Sequence, residues 1–569
     1  MKSLSLSLLL LLFTASRSSC GALEIPLEKR GSCRNVPGSP GYPTAAAWDA
    51  FNATISGRLV TVVPSAKFCT TLPGGACTDA QWSSAVFRNT IPGAMSGVNF
   101  EQGYGLTPPS LCLRNATTCG QGDVPIYSVE AETVEDIQAA VKFASANNLR
   151  VAVKASGHDM IGRSTAPQSL LIRTTNLRNI SFIDAFQDMG SAVTVGSGVP
   201  FQTLFQQAKA SGRAVVGPSV ATICGAGGYV QGAGHSYLSP KFGLAADNAL
   251  EFNIVVSSGE LLKVNSVSNP DLFYALRGGG AGSWGVITSV TFKTFPTFNA
   301  TATSITLAAS NTTQMRALAV AHAEHVFALD PVGSGHFFIT EKNPAGGFVV
   351  ILLSSVLGTP SETMTLLGPF MDAALEIPGV SLVSQQYTDL DVNDSLFKPD
   401  DSAGSNAIEG SRFITADTYR NSPTKVGQVY EELLNSGTEM CRFEIVVGGG
   451  KVSENANISS AVHPGWRTAK TLFLVVNSWE DSASLDEIDA LRHKFQTQQL
   501  PIIEQISGPN AGTYSNEADG FEPEFQTTFF GPNYAKLSGI KAKYDPQDLL
   551  IVGGGVGSER WDQWGLCRV

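Results

Sequence analysis

Residues 216–248 read VGPSVATICGAGGYVQGAGHSYLSPKFGLAADN. Small residues fill this stretch almost throughout, and such density predicts backbone lying very close to something bulky. Its glycines compose a GxGG element (225–228) and a GxG element (232–234). The dinucleotide fingerprint of a doubly wound sheet needs a strand before it, a helix after it and an acidic residue roughly 20 positions on. No such helix pattern follows here. From these residues alone two readings stand side by side: a glycine-rich structural loop, and a backbone cradle for a cofactor.

The flanking text alternates strand and helix. Thr133 is an N-cap candidate for a helix with acidic residues in its first turn and an apolar stripe of Ile137, Val141, Phe143 and Ala144. The strand RVAV (150–153) follows, then KASGHDMIGRS (154–164), SLLIRT (169–174), AVTVGSGVP (192–200) and the helix FQTLFQQAKASG (201–212). After the glycine stretch, ALEFNIVVSSGELLKVN (249–265) reads as two strands joined by a Ser-Gly turn, and DLFYALRGGGAGSWGVITSVTFKTFP (271–296) as helix, glycine turn and closing strand. One folding unit ends at Pro296. Beyond it, SITLAAS, GHFFITEKN, GGFVVILLSSVLG, RFEIVVGGG and KTLFLVVNSW alternate with three helical segments, at 313–329, 361–375 and 485–499. That rhythm predicts a second domain, a mostly antiparallel sheet backed by helices on one side. The tail (529–561) returns to the small-residue style of the first unit and is expected to pack back onto it.

The whole chain has 569 residues, 43% hydrophobic and 15% charged, more than one core normally absorbs. Its net charge of -11 argues against a nucleic-acid partner. The first residues, MKSLSLSLLLLLFTASRSSCGA, give a basic start, an apolar run of roughly ten residues and small residues at a cleavage position. Residues 1–21 therefore read as a secretory signal. No later stretch reaches the roughly 20 residues that span a bilayer, so a secreted product with no membrane partner is expected. Lys29 and Arg30 resemble a kexin-type processing site; an exposed charged loop explains them equally well. Seven sequons, at Asn52, Asn115, Asn179, Asn299, Asn311, Asn393 and Asn457, fit a glycosylating route and N-glycans.

Removal of Cys20 with the signal leaves eight of the nine cysteines, five of them between Cys33 and Cys119. Secretion favours disulfides, with Cys69–Cys77 and Cys112–Cys119 as short-loop candidates. Residues 22–122 thus form a cysteine-rich, irregular segment assigned to packing. Histidines and cysteines lack His-x-x-x-His and Cys-x-x-Cys spacing, so no metal is expected, and no G-x-S-x-G follows a strand.

Taken in order, KASGHDMIGRS, VTVGSG, GAGGYVQGAGHSYLSPKFGLAADN, NPDLFYALRGGGAGSWGVITSV and GPNYAKLSGIKAKYDP resemble the FAD-binding domain of the vanillyl-alcohol-oxidase superfamily, specifically the berberine-bridge-enzyme-like oxidoreductases. The likeness is close over 122–296 and clear over 530–561. In the middle it rests on position and on VVGGGKVSENANISSAVHPGWR (446–467). PGSPGYPT before WDAFN is similar to secreted fungal relatives of isoamyl alcohol oxidases. The resemblance implies an α+β fold: a PCMH-type FAD-binding domain of two α/β subdomains (123–296), a substrate domain (297–520) and a returning C-terminal segment (521–569).

The resemblance also implies site residues. His158 is expected to carry FAD covalently through the 8α-methyl carbon, on an element that includes Lys154, Gly162 and Ser164. Backbone N–H groups of Ser156, Gly157 and Asp159 offer a nest for a pyrophosphate. Relatives with a second link place a Cys four positions before GxGG. Here that position is Ala221, so one covalent bond is expected. Cys224 stands where relatives carry a small residue on the oxygen-access face; a shifted register that bonds it to the flavin is the alternative. If Cys224 is unpaired, a further cysteine such as Cys441 is free as well.

Gly225, Gly227, Gly228 and Tyr229 correspond to the loop along the ribityl chain, and Gly232, Gly234 and His235 to the next turn. Asp247 and Asn248 correspond to the adenine side, a turn-forming role for Asp247 being the alternative. Val286 offers adenine a backbone contact, and Asn533 a hydrogen bond near the flavin.

The expected chemistry is hydride transfer from an alcohol or similar small molecule to flavin N5, with O2 reduced to H2O2. An FAD-dependent dehydrogenase, an oxidative cyclase and a catalytically idle flavin-fold binding protein are the alternatives. A base must take the substrate proton; Glu444, His336, Tyr387 and Tyr534 are the candidates. Alternation puts Arg442 and Glu444 on one strand face, opposite Phe443. Relatives carry a histidine where this chain has Trp466, which points to a more apolar substrate pocket.

Overall fold

The computed structural model describes residues 32–437 and 440–569, with the side chains of residues 438–441 outside that description. The apolar leader and the Lys29 and Arg30 pair lie outside the described residues, as does the thiol of Cys441.

Strands β1 (Leu59–Thr61), β2 (Tyr127–Glu130), β3 (Val151–Lys154) and β4 (Leu170–Arg173) form a sheet in the order β1-β2-β4-β3. β2, β4 and β3 run parallel, while β1 adds antiparallel to β2. The crossover helix Val134–Ala146 starts where the sequence predicts, because the Thr133 hydroxyl accepts from Asp136 N and the Asp136 carboxylate accepts from Thr133 N. Its Ile137, Val141 and Ala144 are buried against this sheet.

Next come β5 (Ile180–Ile183), β6 (Ala192–Gly196), the short β7 (Arg213–Ala214), β8 (Ala249–Val255), β9 (Leu261–Asn265), β10 (Val286–Lys293) and the short β11 (Phe295–Pro296). β7 pairs with β11, and the other five make an antiparallel sheet ordered β5-β6-β10-β8-β9. Phe201, Phe252 and Trp284 share one core here with Leu537 and Ile540 of the tail helix Tyr534–Tyr544. Lys541 locks that return: its buried amine donates to Ser283 O at 2.8 Å, Asp545 Oδ2 at 2.6 Å and Leu550 O at 2.6 Å.

The second unit carries β12 (Asn299–Ala309), β13 (His336–Lys342), β14 (Phe348–Val356), β15 (Val380–Asp391), β16 (Asn406–Thr415), β17 (Met440–Val446) and β18 (Ala469–Trp479). All pairs are antiparallel, in the order β15-β12-β14-β13-β17-β18-β16. Helices Thr312–His325, Pro360–Leu375 and Pro423–Ser436 cover one face, burying Leu318, Phe370 and Tyr430 against Phe338, Val350 and Phe473. The opposite face turns toward the first unit. Sequence patterning finds the five inner strands and misses β15 and β16, the two edges. β15 is exposed over much of its length (Val383 is 60% exposed), and β16 points Glu409 and Ser411 inward, so neither shows a clean apolar alternation.

Disulfides join Cys69 to Cys77 and Cys112 to Cys119, as the short loops suggest; a third joins Cys33 to Cys567 across 534 residues. The leader segment does more than pack. It donates β1, and its residues 96–100 reach the interface between the two units. Among the described residues no helix is long and apolar enough to cross a membrane.

Candidate active site

A cavity of about 570 Å³ lies between the units. Its walls are the histidine turn, the glycine stretch, the inner sheet face, a loop at 402–405, Ser96 to Phe100 of the leader segment and a strap at 514–517. The histidine turn leaves the end of β3. Gly157, at φ +81°, turns the chain with its backbone against Ala94 O, where a Cβ would come within 3.1 Å. Asp159 braces the turn by accepting from Ile161 N and Ser164 N. His158 then meets the cavity, with Nδ1 3.5 Å from Thr222 Oγ1. Thr222 is held in turn by Asp401, which accepts from its backbone N at 3.0 Å and its hydroxyl at 3.2 Å. Burial lowers the His158 pKa against the opposing pull of Asp401, Glu517 and Asp159.

Across from it the strap clips the glycine stretch to the sheet. Asn516 donates to Gly228 O at 2.8 Å, Glu517 Oε1 meets His235 Nε2 at 2.9 Å, and Ser411 of β16 donates to Glu517 O at 2.5 Å. The sheet face presents Phe337, Phe443, Ile445, Leu474 and Val476, with Glu409 among them. Glu409 is 6% exposed and its Oε1 has no hydrogen-bond partner. Burial first, then Glu517 and Asp159, push its pKa well above the usual glutamate value. The Cys224 thiol, likewise on the wall, is unpaired and pushed up to about 12 by burial.

Of the expected cofactor residues, Ser156, Gly157, His158, Asp159 and Ser164 line the cavity, as do Cys224, Gly227, Gly228, Tyr229 and His235. The others stand behind it. Lys154 donates to Pro92 O and Ala94 O, propping the turn from below, its amine lowered to about 7 by burial. Gly162 packs on Phe100, Gly225 on Phe292 and Phe201, Gly232 on Asn516, and Gly234 on Ala245 and Tyr229; these glycines let chain segments approach one another. Asp247 forms a buried pair with Arg467 at 2.7 Å and caps Leu244 N, the turn-forming role. Asn248 donates to Phe242 O and Leu244 O. Val286 is a core residue beside Ile137, and Asn533 accepts from Tyr274 OH at 2.9 Å while donating to Ala461 O.

The expected bases are corrected outright. His336 and Glu444 lie on the helix-covered face: His336 Nε2 sits 2.9 Å from His322 Nε2, and Glu444 accepts from Tyr419 OH at 2.7 Å. Their neighbours Phe337, Phe443 and Ile445 face the cavity instead, which is what the pleat requires. Tyr534 donates to Glu559 at the tail, and Tyr387 lies on the edge strand β15. Sequence reading missed Glu409, Arg163, Tyr514, Asn516 and Glu517. Period-two alternation through NAIEGSRFIT could have flagged Glu409 and Ser411 on one face, had β16 been recognised.

The wall fits a flat, polar cofactor such as FAD. A Cβ at Gly227 or Gly228 would meet nothing nearer than 3.8 or 3.7 Å, against 2.4 Å at Gly232 and 2.7 Å at Gly234, so those two glycines border open space. Buried polar atoms around that space lack protein partners: Ser197 Oγ, Gln231 Oε1 and Arg163 Nη1.

Residues 125–265 match the family model described as FAD binding domain, and residues 513–551, strap included, the one described as berberine and berberine like. An FAD-linked oxidoreductase of Arthroderma benhamiae is 33% identical, covering 94% of this chain and 96% of its own. Among solved structures, the VAO-type flavoprotein MtVAO713 of Myceliophthora thermophila superposes with a TM-score of 0.85 at 26% identity, over 95% of this chain and all of that one. The glucooligosaccharide oxidase of Acremonium strictum, described with a 6-S-cysteinyl, 8α-N1-histidyl FAD, shares the fold (TM-score 0.63, 20% identity, 76% of this chain and 91% of that one).

Proposed function

The chain belongs to the berberine-bridge-enzyme-like FAD-linked oxidoreductases of the vanillyl-alcohol-oxidase superfamily, and within that family we propose a secreted oxidase that carries FAD covalently on His158. Bound FAD supplies the hydride acceptor, and dioxygen restores its oxidised form with release of hydrogen peroxide. The observation that carries this reading is the cavity-facing His158 ring on a glycine turn, steadied through Thr222 and Asp401. The 8α-N1-histidyl FAD of the Acremonium neighbour supports it. With Ala221 at the position of the second linkage, a single bond is proposed.

Glu409, in place of the bases corrected above, takes the substrate proton. It is the buried carboxyl on the sheet wall with an oxygen free to receive one. The apolar leader and the exposed sequons support secretion as a glycoprotein. Acid precipitation of the purified protein tests the core of the proposal: the yellow colour stays in the pellet of the wild type, maps to one peptide containing His158, and passes to the supernatant in His158→Ala. A colourless wild-type pellet refutes the covalent link.

A further inference from the structure

We propose that the leader segment is a clamp for covalent cofactor loading: residues 82–101 grip both flanks of His158 and hold its ring where the bond to FAD forms, with Glu101 as the positioning residue. The inference rests on the covalent reading above and adds what lets that attachment proceed. In the step concerned, a ring nitrogen of His158 bonds the flavin 8α carbon. The imidazole and the methyl group each give up one hydrogen, and the two electrons pass through the flavin to dioxygen, which leaves as hydrogen peroxide. A ring must be held against one carbon atom, so the rate answers to placement.

The first flank is the histidine turn. Ser96 N donates to Gly157 O at 2.9 Å, and Lys154 donates to Pro92 O and Ala94 O. The second flank is the loop before β16. Gly404 N donates to Ser96 O at 2.8 Å, Val98 N to Ser405 O at 3.0 Å, Ala85 N to Asp401 O at 3.0 Å and Trp82 Nε1 to Gly404 O at 2.9 Å. Asp400 accepts from Val86 N at 3.0 Å and from Ser84 Oγ at 2.5 Å. This loop carries the Asp401 carboxylate that holds Thr222 beside His158, so one segment sets both sides of the ring. Glu101 fixes the segment itself. It is fully buried, its Oε1 accepting from Arg88 Nη2 at 2.5 Å and Met95 N at 3.0 Å, and its Oε2 from Ser65 N at 2.8 Å. Arg88 Nε donates in turn to Met95 O at 2.7 Å, which pins Met95 through both backbone groups, one residue from Ser96. Glu101, Trp82 and Asp400 do not line the cavity, so they reach His158 only through the turn and the loop.

Apoprotein made under riboflavin limitation and mixed with FAD in air tests this. Acid-stable colour follows attachment with time, and quenching of flavin fluorescence reports total FAD binding. The double variant Trp82→Phe, Asp400→Ala removes the Trp82, Ser84 and Val86 contacts with the loop while keeping an aromatic ring at 82 and changing an exposed residue at 400. Glu101→Gln breaks the buried ion pair with Arg88. In both variants FAD is expected to bind as in the wild type while attachment slows about ten- to a hundredfold. Should Glu101→Gln not fold, the double variant decides alone. Attachment at the wild-type rate in either folded variant, or loss of FAD binding in step with attachment, overturns the inference. A wild type whose colour leaves with the acid refutes the covalent reading and the inference with it, a result distinct from a wild type that attaches and variants that attach as fast.

Discussion

Asn393 belongs to an Asn-Asp-Ser sequon, yet it is 1% exposed and its amide donates to Arg213 O and Asp391 Oδ1, each at 2.9 Å. A glycan there would displace the residues that bury it. Peptide mapping of protein made in a glycosylating host is therefore expected to find Asn393 bare, with modification confined to exposed sequons such as Asn115, Asn179 and Asn457; an occupied Asn393 contradicts the packing. Glu409 yields a kinetic prediction at the same scale. Its raised pKa means that the proton-accepting form is lost as pH falls, at a pH above the ordinary glutamate range. kcat/KM should show an acid limb there, and Glu409→Gln should lower kcat by about 10²- to 10³-fold and abolish that limb. The sequence shows a Glu in each of β16 and β17 and cannot rank them. Glu444 satisfies Tyr419 inside the helix-backed core, whereas Glu409 satisfies nothing on the cavity wall.

Among the elements, the sequence reading expected no helix after the glycines, and the structure shows a short one, Ala245–Asn248. Asp247, with its side chain 1% exposed, joins Arg467 of the helix Gly465–Thr468 by two contacts of 2.9 and 2.7 Å, tying the glycine stretch to the second unit just before β18. Arg467→Leu leaves a buried carboxylate without its cation, Leu244 N and Asn455 Nδ2 still donating to it, and is expected to cost about 3–5 kcal/mol, read as a lower denaturation midpoint with unchanged slope. The neighbouring Trp466, expected to make the pocket apolar, packs on Phe413 and Tyr514 behind the cavity; the apolar wall comes from β13, β17 and β18. The helix Val134–Ala146 shows the opposite case. Its cap, its first-turn acids and its buried stripe are all local, and all were legible.

At the scale of the molecule, the Cys33–Cys567 bridge fastens the described N-terminal end to the C-terminal end, beside Asp548, which receives Arg560 and Arg568, and Trp561, flanked by Arg34. Closing so long a loop restricts the unfolded chain. Cys33→Ser is expected to lose about 2–4 kcal/mol of unfolding free energy, with the flavin band unchanged because the bridge is remote from the cavity. By itself, the sequence determined the layered architecture through its periodicity and offered the two short disulfides as candidate loop closures, while the FAD-type role of the glycine turns around His158 came from the family resemblance and not from spacing. The tertiary structure alone decided which carboxyl meets the cavity, which glycines border open space and how the chain ends join. A strand's one-residue alternation reverses the face of every side chain, and burial and pairing here are set by partners hundreds of residues away, such as Asp401 for Thr222 and Glu517 for His235.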